Sequence, residues 1–242
     1  MNMDIGFAYS GYIVFFAIIW IILFWRRPDL RNEILLMSLL AAPLGPVGDF
    51  FYRVDYYNLP NLNGELWFLF SAAVGFVYGG VAAVLYEECV RGTHAKTFHH
   101  VYAKKHIYWF LLVAIIGSVF VFSTREFLYV NSFHSSLIVM LGGGVGAIYW
   151  RHDLLREAIG SGLALMLVSV AYYSMALIIF PNLFQQWNKN VMSGINPLRI
   201  PVEEWAWAFA WGFIAGPAYE FSRGFWIRAG KTFIRRGGKS LV

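Results

Sequence analysis

Long apolar runs separated by short polar connections recur along the whole 242-residue chain. Runs of about 18 or more nearly uncharged residues are typical of transmembrane helices, because each helix has to cross the hydrocarbon core of a bilayer. The pattern predicts seven spans, at residues 8–25, 34–52, 66–86, 107–123, 133–150, 158–180 and 204–222. We therefore expect an all-α integral membrane protein in which residues 1–242 form a single membrane domain.

The composition excludes an ordinary soluble domain. Hydrophobic residues make up 59% of the chain and charged residues only 14%, whereas soluble domains carry about 25% charged residues. The single cysteine, Cys89, excludes a framework of intramolecular disulfides. Residues 1–5 contain no basic residue, so we expect no cleavable signal peptide before the first span.

The distribution of basic residues predicts the orientation. With the N-terminus outside, the inside connections and the C-terminal tail hold 15 of the 19 Lys and Arg residues. Only Arg53, Arg125, Lys189 and Arg199 fall on the outside. Because basic residues accumulate on the cytoplasmic side, this distribution favours an odd number of spans with the N-terminus out and the C-terminus in. We expect a multi-pass protein of the cytoplasmic (inner) membrane.

The sequence contains an internal repeat. The pattern Arg-x-Asp-Leu-x-x-Glu follows the first span at residues 27–33 and follows the fifth span at residues 151–157, with a constant offset of 124. Two later pairs repeat as well: Glu-x-Trp at 65–67 and 203–205, and Gly-Phe at 75–76 and 212–213. Self-similarity of this kind indicates two copies of one structural unit.

The repeat and the charge distribution together predict the architecture. Residues 8–86 form the first three-helix unit, residues 133–222 form the second, and the span at 107–123 joins them. Because this linker helix crosses the membrane once, both units start from the same side, which gives two parallel three-helix repeats (3+1+3). A pseudo-twofold axis along the membrane normal then places a shared cavity between the units. Residues 223–242 form a basic tail on the inner surface.

Glu203 and Glu204 lie where the last span begins, directly after Pro201 and Val202. A charged side chain in a membrane helix is costly unless it has a partner or a function. One interpretation is a capping role, because carboxylates are stabilised near a helix N-terminus. The other is that one of the two faces the bundle and transfers a proton in catalysis. Glu65 opens the third span in the same way, so we expect these acids to converge at one end of the shared cavity.

Asp49 ends the second span, in a segment that carries two prolines and two glycines between residues 43 and 48. Such residues break a membrane helix, and a break is tolerated where the helix lines a cavity. The repeat offset places Tyr173 opposite Asp49 in the second unit. We predict that both residues belong to the site. The alternative is an interfacial Asp49 that pairs with Arg53.

Aromatic residues account for 19% of the chain. Many of them are expected to form the aromatic belts at the membrane interfaces. Trp205, Trp207 and Trp67, however, lie beside the predicted catalytic acids, and indole faces stabilise a cation where water is excluded. We therefore predict that these tryptophans bind the substrate.

Two basic segments contain residue types that also occur in metal sites and in nucleic-acid-binding sites. Four histidines lie in the connection 87–106, but their spacing matches no closed metal site and no cysteine pair accompanies them, so we predict no metal. The tail from Arg223 alternates basic and aromatic residues. This pattern favours binding to anionic lipids of the inner leaflet over binding to nucleic acid.

These features resemble the small integral-membrane lycopene (carotenoid) cyclase domain family. Its members have two related three-helix units, each with a basic turn after the first helix and a Pro-x-Glu-Glu/Asp motif opening the third. The second unit matches this motif as Pro-Val-Glu-Glu at 201–204. The first unit departs from it, because Asn-Gly-Glu-Leu at 63–66 keeps one acid and lacks the proline and the second acid. The likeness spans nearly the whole chain.

The resemblance implies a redox-neutral isomerisation of a linear, apolar isoprenoid. A terminal double bond of the polyene is protonated, the ring closes, and a proton is lost, so the resemblance implies no cofactor. It assigns the proton donor to Glu204 or Glu203, and it assigns the base or second acid to Glu65 and Asp49. The aromatic faces would lie over the carbocation.

Other functions are compatible with parts of the pattern. A parallel 3+1+3 repeat with convergent carboxylates is also the layout of proton-coupled small-solute transporters, although the spans offer few polar groups to a polar solute. The incomplete first motif is compatible with a non-enzymatic protein that binds an apolar ligand. A subunit of a larger membrane complex, or an oligomer, stays open. A retinal protein is disfavoured, because the last span has no lysine for a Schiff base.

Overall fold

The computed structural model describes residues 3–57, 65–96 and 108–228, and helices account for most of these residues. In chain order the helices are α1 (Met3–Arg26), α2 (Arg31–Ala41), α3 (Leu44–Asp55), α4 (Glu65–Val90), α5 (Trp109–Leu128), α6 (Ser132–Trp150), α7 (Leu155–Ile179), α8 (Val202–Ala215) and α9 (Ala218–Arg223). Two short strands, β1 (Thr93–Lys96) and β2 (Phe225–Arg228), pair in antiparallel fashion. The all-helical fold class is therefore confirmed, with one small ribbon added to it.

Five helical segments among the described residues are long and apolar enough to cross a membrane. They are Pro28–Arg53, Trp67–Val90, Trp109–Leu128, Ser132–Trp150 and His152–Ile179. Large apolar side chains also cover the outer surface of α5, where Ile115 is 64% exposed and Val119 is 62% exposed. An apolar surface of this extent requires an apolar environment. The chain is thus a membrane protein, whereas the count of seven spans stays a prediction.

Two of the predicted spans consist of two helices each. In the span predicted at 34–52, α2 ends at Ala41 and α3 begins after Pro43, as the proline-glycine pattern predicted. In the span predicted at 204–222, α8 ends at Ala215 and Pro217 precedes α9. Proline has no N–H to donate to the helix ladder and it crowds the preceding turn, so each helix stops at this point. The first of these two broken segments is among the five apolar segments, whereas the second is not.

The two basic turns predicted to be repeats have the same geometry. Arg27 donates to both carboxylate oxygens of Asp29, at 3.0 and 2.8 Å, and to the backbone oxygen of Gly92 at 2.5 Å. Arg151 donates to both oxygens of Asp153, at 2.9 and 2.7 Å, and to the backbone oxygen of Phe225 at 2.6 Å. Each arginine thus ties the turn after a first helix to the chain that leads into β1 or β2. These two strands then pair with each other.

The repeated glycines also occupy equivalent packing positions. A Cβ atom at Gly75 would lie 2.5 Å from the backbone oxygen of Ala41, and one at Gly212 would lie 2.5 Å from the backbone oxygen of Ser161. In both cases the helix carries the Glu-x-Trp pattern near its start and packs closely on the backbone of a neighbouring helix. Helix α4 packs on α2 in this way, and α8 packs on α7. Only glycine permits this separation, because any side chain would overlap the carbonyl group.

A connection of 21 residues, numbered 181–201 and here called the cover segment, closes the end of the bundle at which α3 ends and α8 begins. It starts with a 3-10 helix, Pro181–Gln186. Trp187 then forms an isolated bridge with Tyr57 after α3. The backbone N–H of Asn188 donates to the oxygen of Tyr56 at 3.0 Å. The cover segment of the second half is therefore fixed to the first half.

The glycine contacts give a matched pair of predictions on α3. A Cβ atom at Gly45 would overlap the backbone carbonyl of Ser71 in α4, whereas one at Gly48 would only touch the ring of Tyr52, at 3.4 Å. We expect Gly45→Ala to destabilise the fold by about 1–3 kcal/mol, because the two backbones have to separate. We expect Gly48→Ala to leave stability unchanged or slightly raised, because alanine favours a helix. Thermal unfolding in detergent micelles measures both, and equal losses would contradict this packing.

The buried arginine gives a second prediction. Arg151 is only 2% exposed, whereas Arg156, on the first turn of α7, is exposed. We expect Arg151→Met to lower the free energy of unfolding by about 2–3 kcal/mol, because hydrogen bonds to charged groups are lost and two backbone oxygens lose a donor. Arg156→Met is the control and should change it by less than about 0.5 kcal/mol. Unfolding by increasing mole fractions of SDS in mixed micelles measures the free energy of unfolding of both variants.

Candidate active site

A cavity lies between α1, α3, α4, α7, α8 and the cover segment. It contains about 940 Å³ of empty space, its open mouth included. Its walls are mostly aromatic, and they include two carboxyl groups. The aromatic residues are Tyr12, Tyr52, Tyr57, Trp67, Phe70, Tyr78, Tyr172, Tyr173, Trp207 and Trp211, and the acids are Asp49 and Glu204.

Glu204 is the acid held most completely by the surrounding protein. One carboxyl oxygen accepts hydrogen bonds from the hydroxyl of Tyr56, at 3.0 Å, and from the indole N–H of Trp187, at 2.8 Å. The other accepts one from the hydroxyl of Tyr173 at 3.1 Å. The residue itself is 5% exposed. A buried carboxyl group that is held by hydrogen-bond donors in fixed positions belongs to the interior of the protein and is not a surface charge.

Glu203 faces away from this cavity. One of its oxygens accepts a hydrogen bond from the backbone N–H of Ser193 in the cover segment, at 2.5 Å. Adjacent residues of a helix differ by about 100° in direction, so only one of the two acids can face the cavity. Pro201 places both in the first turn of α8, as the sequence predicted. The geometry therefore separates the pair into a cavity acid, Glu204, and an acid that binds the cover segment.

Asp49 lines the cavity from α3 and is paired at the same time. Its carboxylate lies 2.7 Å from the Nε atom of Arg53, and the indole N–H of Trp67 donates to it. The guanidinium of Arg53 also lies over the ring of Trp67, with 4.0 Å between the guanidinium carbon and the ring centroid. Asp49 thus pairs with Arg53, as one alternative predicted, and it also lines the cavity, while its role in the site stays a prediction.

The other predicted site residues differ in their position relative to the cavity. Trp67, Tyr173 and Trp207 line the cavity. Trp205 does not line it, and packs instead with the apolar cluster that contains Leu177 and Ile200. Glu65 is the first residue of α4, as predicted, but its side chain lies outside the described residues.

The aromatic wall of α8 presents ring faces and a hydrogen-bond chain to the cavity. Trp207 and Trp211 stack with their ring centroids 5.8 Å apart, and Tyr78 lies 5.6 Å from Trp207. The indole N–H of Trp207 donates to the hydroxyl of Tyr52 at 3.0 Å, which fixes both rings. Faces of this kind stabilise a positive charge in a space without water.

Several residues of this site were missed at the sequence level. Tyr56 and Trp187 donate to Glu204, and Tyr12 and Tyr78 line the cavity beside it. Tyr56 and Trp187 lie in or next to the two long connections that lead to the Glu-x-Trp patterns, which was an available signal. Tyr12 and Tyr78 lie within apolar spans, where a tyrosine that faces the cavity has the same sequence context as one that faces lipid.

A second group of acids lies outside the cavity. Glu33, Glu87 and Glu220 are fully buried, with carboxylate oxygens within 4.8 Å of one another, and they are the one such group among the described residues. Oxygen donors of this type suit Mg²⁺ or Ca²⁺, and shared protons would satisfy them equally. The repeat had matched Glu33 with Glu157 without assigning either a role. The predicted absence of a metal among the histidines stays untested, because His99, His100 and His106 lie outside the described residues.

Residues 131–222 match the protein-family model described as lycopene cyclase. The match begins just before α6 and ends within α9, so it contains Tyr173, Trp187, Glu204 and Trp207. The resemblance inferred from the sequence is confirmed for this stretch, which is less than half of the chain. Comparison with curated proteins and with solved structures gave no match. The lycopene cyclase match supports a carotenoid-cyclase-like function, an isoprenoid substrate and a membrane environment.

The hydrogen bonds to Glu204 give a matched pair of tryptophan substitutions. Trp187 donates to Glu204, whereas the buried Nε1 of Trp205 has no hydrogen-bond partner in the described part of the chain. We expect Trp187→Phe to destabilise the protein by about 1–3 kcal/mol more than Trp205→Phe, because only the first leaves a buried carboxyl oxygen without one of its hydrogen-bond donors. Chemical denaturation in micelles, followed by circular dichroism, measures the difference. Equal effects would show that the donor contributes nothing to holding Glu204.

Proposed function

We propose that this protein is a redox-neutral carotenoid cyclase that closes a ring at the end of a linear polyene. The observation that carries the proposal is that Glu204, within the stretch that matches the lycopene cyclase family, presents its carboxyl group to a cavity walled by aromatic rings. Such a cavity excludes water from a carbocation and offers a proton donor beside it.

Glu204 is proposed as the proton donor. Addition of its proton to the terminal double bond of the polyene leaves a tertiary carbocation, and a neighbouring double bond then attacks this carbon to form the ring. The three hydrogen bonds from Tyr56, Trp187 and Tyr173 stabilise the carboxylate that remains after the proton has left. Stabilisation of that product state lowers the barrier to protonating carbon, which is the hard step.

Asp49 is proposed as the base. Its contacts with Arg53 and with the indole N–H of Trp67 maintain it as a carboxylate. It therefore accepts the proton that a ring carbon loses when the final double bond forms. One proton enters the substrate and one leaves, so the reaction transfers no electrons, and return of a proton to Glu204 completes the cycle. Glu65 is proposed as an additional acid of the first half.

The positive charge is proposed to pass over the aromatic wall between these two acids. Trp207, Tyr78 and Trp67 line that part of the cavity, and Tyr173 contributes both a ring face and a hydrogen bond to Glu204. Each cation–π contact contributes about 2 kcal/mol where water is excluded. Trp205 is proposed to support the start of α8 through its packing.

The architecture proposed for this activity is the parallel 3+1+3 arrangement of two units in the inner membrane. Support comes from the identical geometry of the Arg27 and Arg151 turns, and from the equivalent packing of Gly75 and Gly212. The proposed orientation, N-terminus out and C-terminus in, rests on the distribution of Lys and Arg along the chain. The basic tail, which lies outside the described residues after 228, is proposed to bind anionic lipid.

Expression in cells that accumulate lycopene, followed by chromatography of the pigments, tests the activity and the acid together. We expect cyclised carotenoid from the wild type and a loss of about 100-fold or more for Glu204→Gln, because general acid catalysis contributes about 10²–10⁴-fold. Glu203→Gln is the matched control, since its carboxyl group faces the cover segment. We expect it to retain at least half of the wild-type activity at equal membrane abundance.

Three other results of this experiment would lead to different conclusions. Linear lycopene that co-purifies with the wild type unchanged would identify a non-enzymatic ligand-binding protein. Failure of the wild type both to bind and to convert lycopene would exclude this substrate. Cyclisation that survives Glu204→Gln but not Glu203→Gln would reverse the assignment of the donor.

A further inference from the structure

A second cavity lies next to the first, between α3, α5, α6 and α8. It contains about 660 Å³ of empty space, and its described lining includes no charged side chain. The hydroxyl groups in its walls are already used by the protein. Ser118 donates to the backbone oxygen of Ala114 at 2.8 Å, and Ser136 donates to that of Phe133 at 2.8 Å. The cavity therefore offers an apolar surface, suited to a hydrocarbon chain.

The two cavities share part of their walls. Leu44, Gly48, Tyr52 and Trp211 line both of them. Tyr52 is fixed at this junction, because its hydroxyl donates to Ser136 at 2.7 Å and accepts from the indole N–H of Trp207 at 3.0 Å. Gly48 has no side chain here, and a Cβ atom on it would touch the ring of Tyr52 at 3.4 Å. The two cavities are therefore adjacent, and the ring of Tyr52 lies in the wall that they share.

We propose that this second cavity binds the distal part of the same polyene whose end is placed beside Glu204. The proposal rests on the proposed function and adds the path of the chain to it. A linear polyene with one end in the first cavity has to leave that cavity somewhere. Among the described walls, the one at Tyr52 has an uncharged space directly behind it, so a small movement of this ring would admit the chain. The second cavity thus determines which chain lengths the protein accepts.

Substitutions that fill the second cavity test the proposal. Ala114 lines it from α5, whereas the neighbouring Ile115 points outward and is 64% exposed. Ala114→Phe is the test, and Ile115→Phe is the control on the lipid-facing side of the same helix. Ser118→Leu, one turn further on, is a second filling variant in case the first does not fold. Purified protein is supplied with lycopene or with a truncated polyene of half the length that carries the same terminal group.

We expect Ala114→Phe and Ser118→Leu to reduce kcat/KM for lycopene by about tenfold or more, because a pocket that is filled by a few carbon atoms discriminates by this amount. The truncated polyene should be converted by both variants within about twofold of the wild-type rate, and Ile115→Phe should behave as wild type with both substrates. If conversion falls for lycopene and not for the truncated polyene, the distal part of lycopene lies in the second cavity.

Results that contradict only this inference can be distinguished from results that contradict the proposed function. If the wild type cyclises lycopene and a folded filling variant treats both lengths as the wild type does, the cavity does not hold the chain, and the activity stands. If the filling variants release a co-purified phospholipid while both conversions stay unchanged, a lipid acyl chain occupies the cavity, and the inference is wrong. If the wild type neither binds nor converts either polyene, the proposed function and the inference fail together.

Discussion

A carboxyl group placed among aromatic rings inside a membrane protein requires hydrogen-bond donors, and much of this structure can be traced to that requirement. Glu204 is only 5% exposed, so the protein provides donors from several places. Tyr56 comes from the residue directly after α3, Tyr173 from α7, and Trp187 from the cover segment. To meet at one carboxyl group, these elements have to be held within a few ångströms of each other. The glycine contacts and the arginine turns maintain that arrangement from the other parts of the bundle.

The two acids of the cavity, Asp49 and Glu204, are stabilised in different ways. Asp49 has a cation, Arg53, one helical turn away. The donors to Glu204 include two hydroxyl groups and an indole N–H, none of which carries a charge. A nearby cation favours the charged form of a carboxyl group more strongly than neutral donors do. This difference in environment supports the distinct roles proposed for the two residues, one as acid and the other as base.

The sequence was informative about elements and motifs and uninformative about which side of a helix faces the ligand. The break before α3, the start of α8 at the acid pair, and the matching Arg27 and Arg151 turns all follow from local rules on proline, glycine and charge. The direction of Glu203 and of Trp205 does not, because in a membrane protein the lipid-facing and interior surfaces are both apolar. Periodicity therefore cannot distinguish them. Trp187 and Tyr56 were missed for another reason, since they reach Glu204 through a connection whose path depends on tertiary contacts.

The cover segment links closure of the cavity to the hydrogen bonding of Glu204. Trp187 is part of the wall that separates the end of the bundle from its surroundings, and the same indole group is one of the donors to Glu204. Any movement that lifts this segment to let a molecule pass also takes a hydrogen bond away from the carboxyl group. The carboxyl group has its full set of donors only while the segment is in place. If Glu204 is the proton donor, as proposed, then admission of a molecule and full support of the acid are mutually exclusive states of one tryptophan.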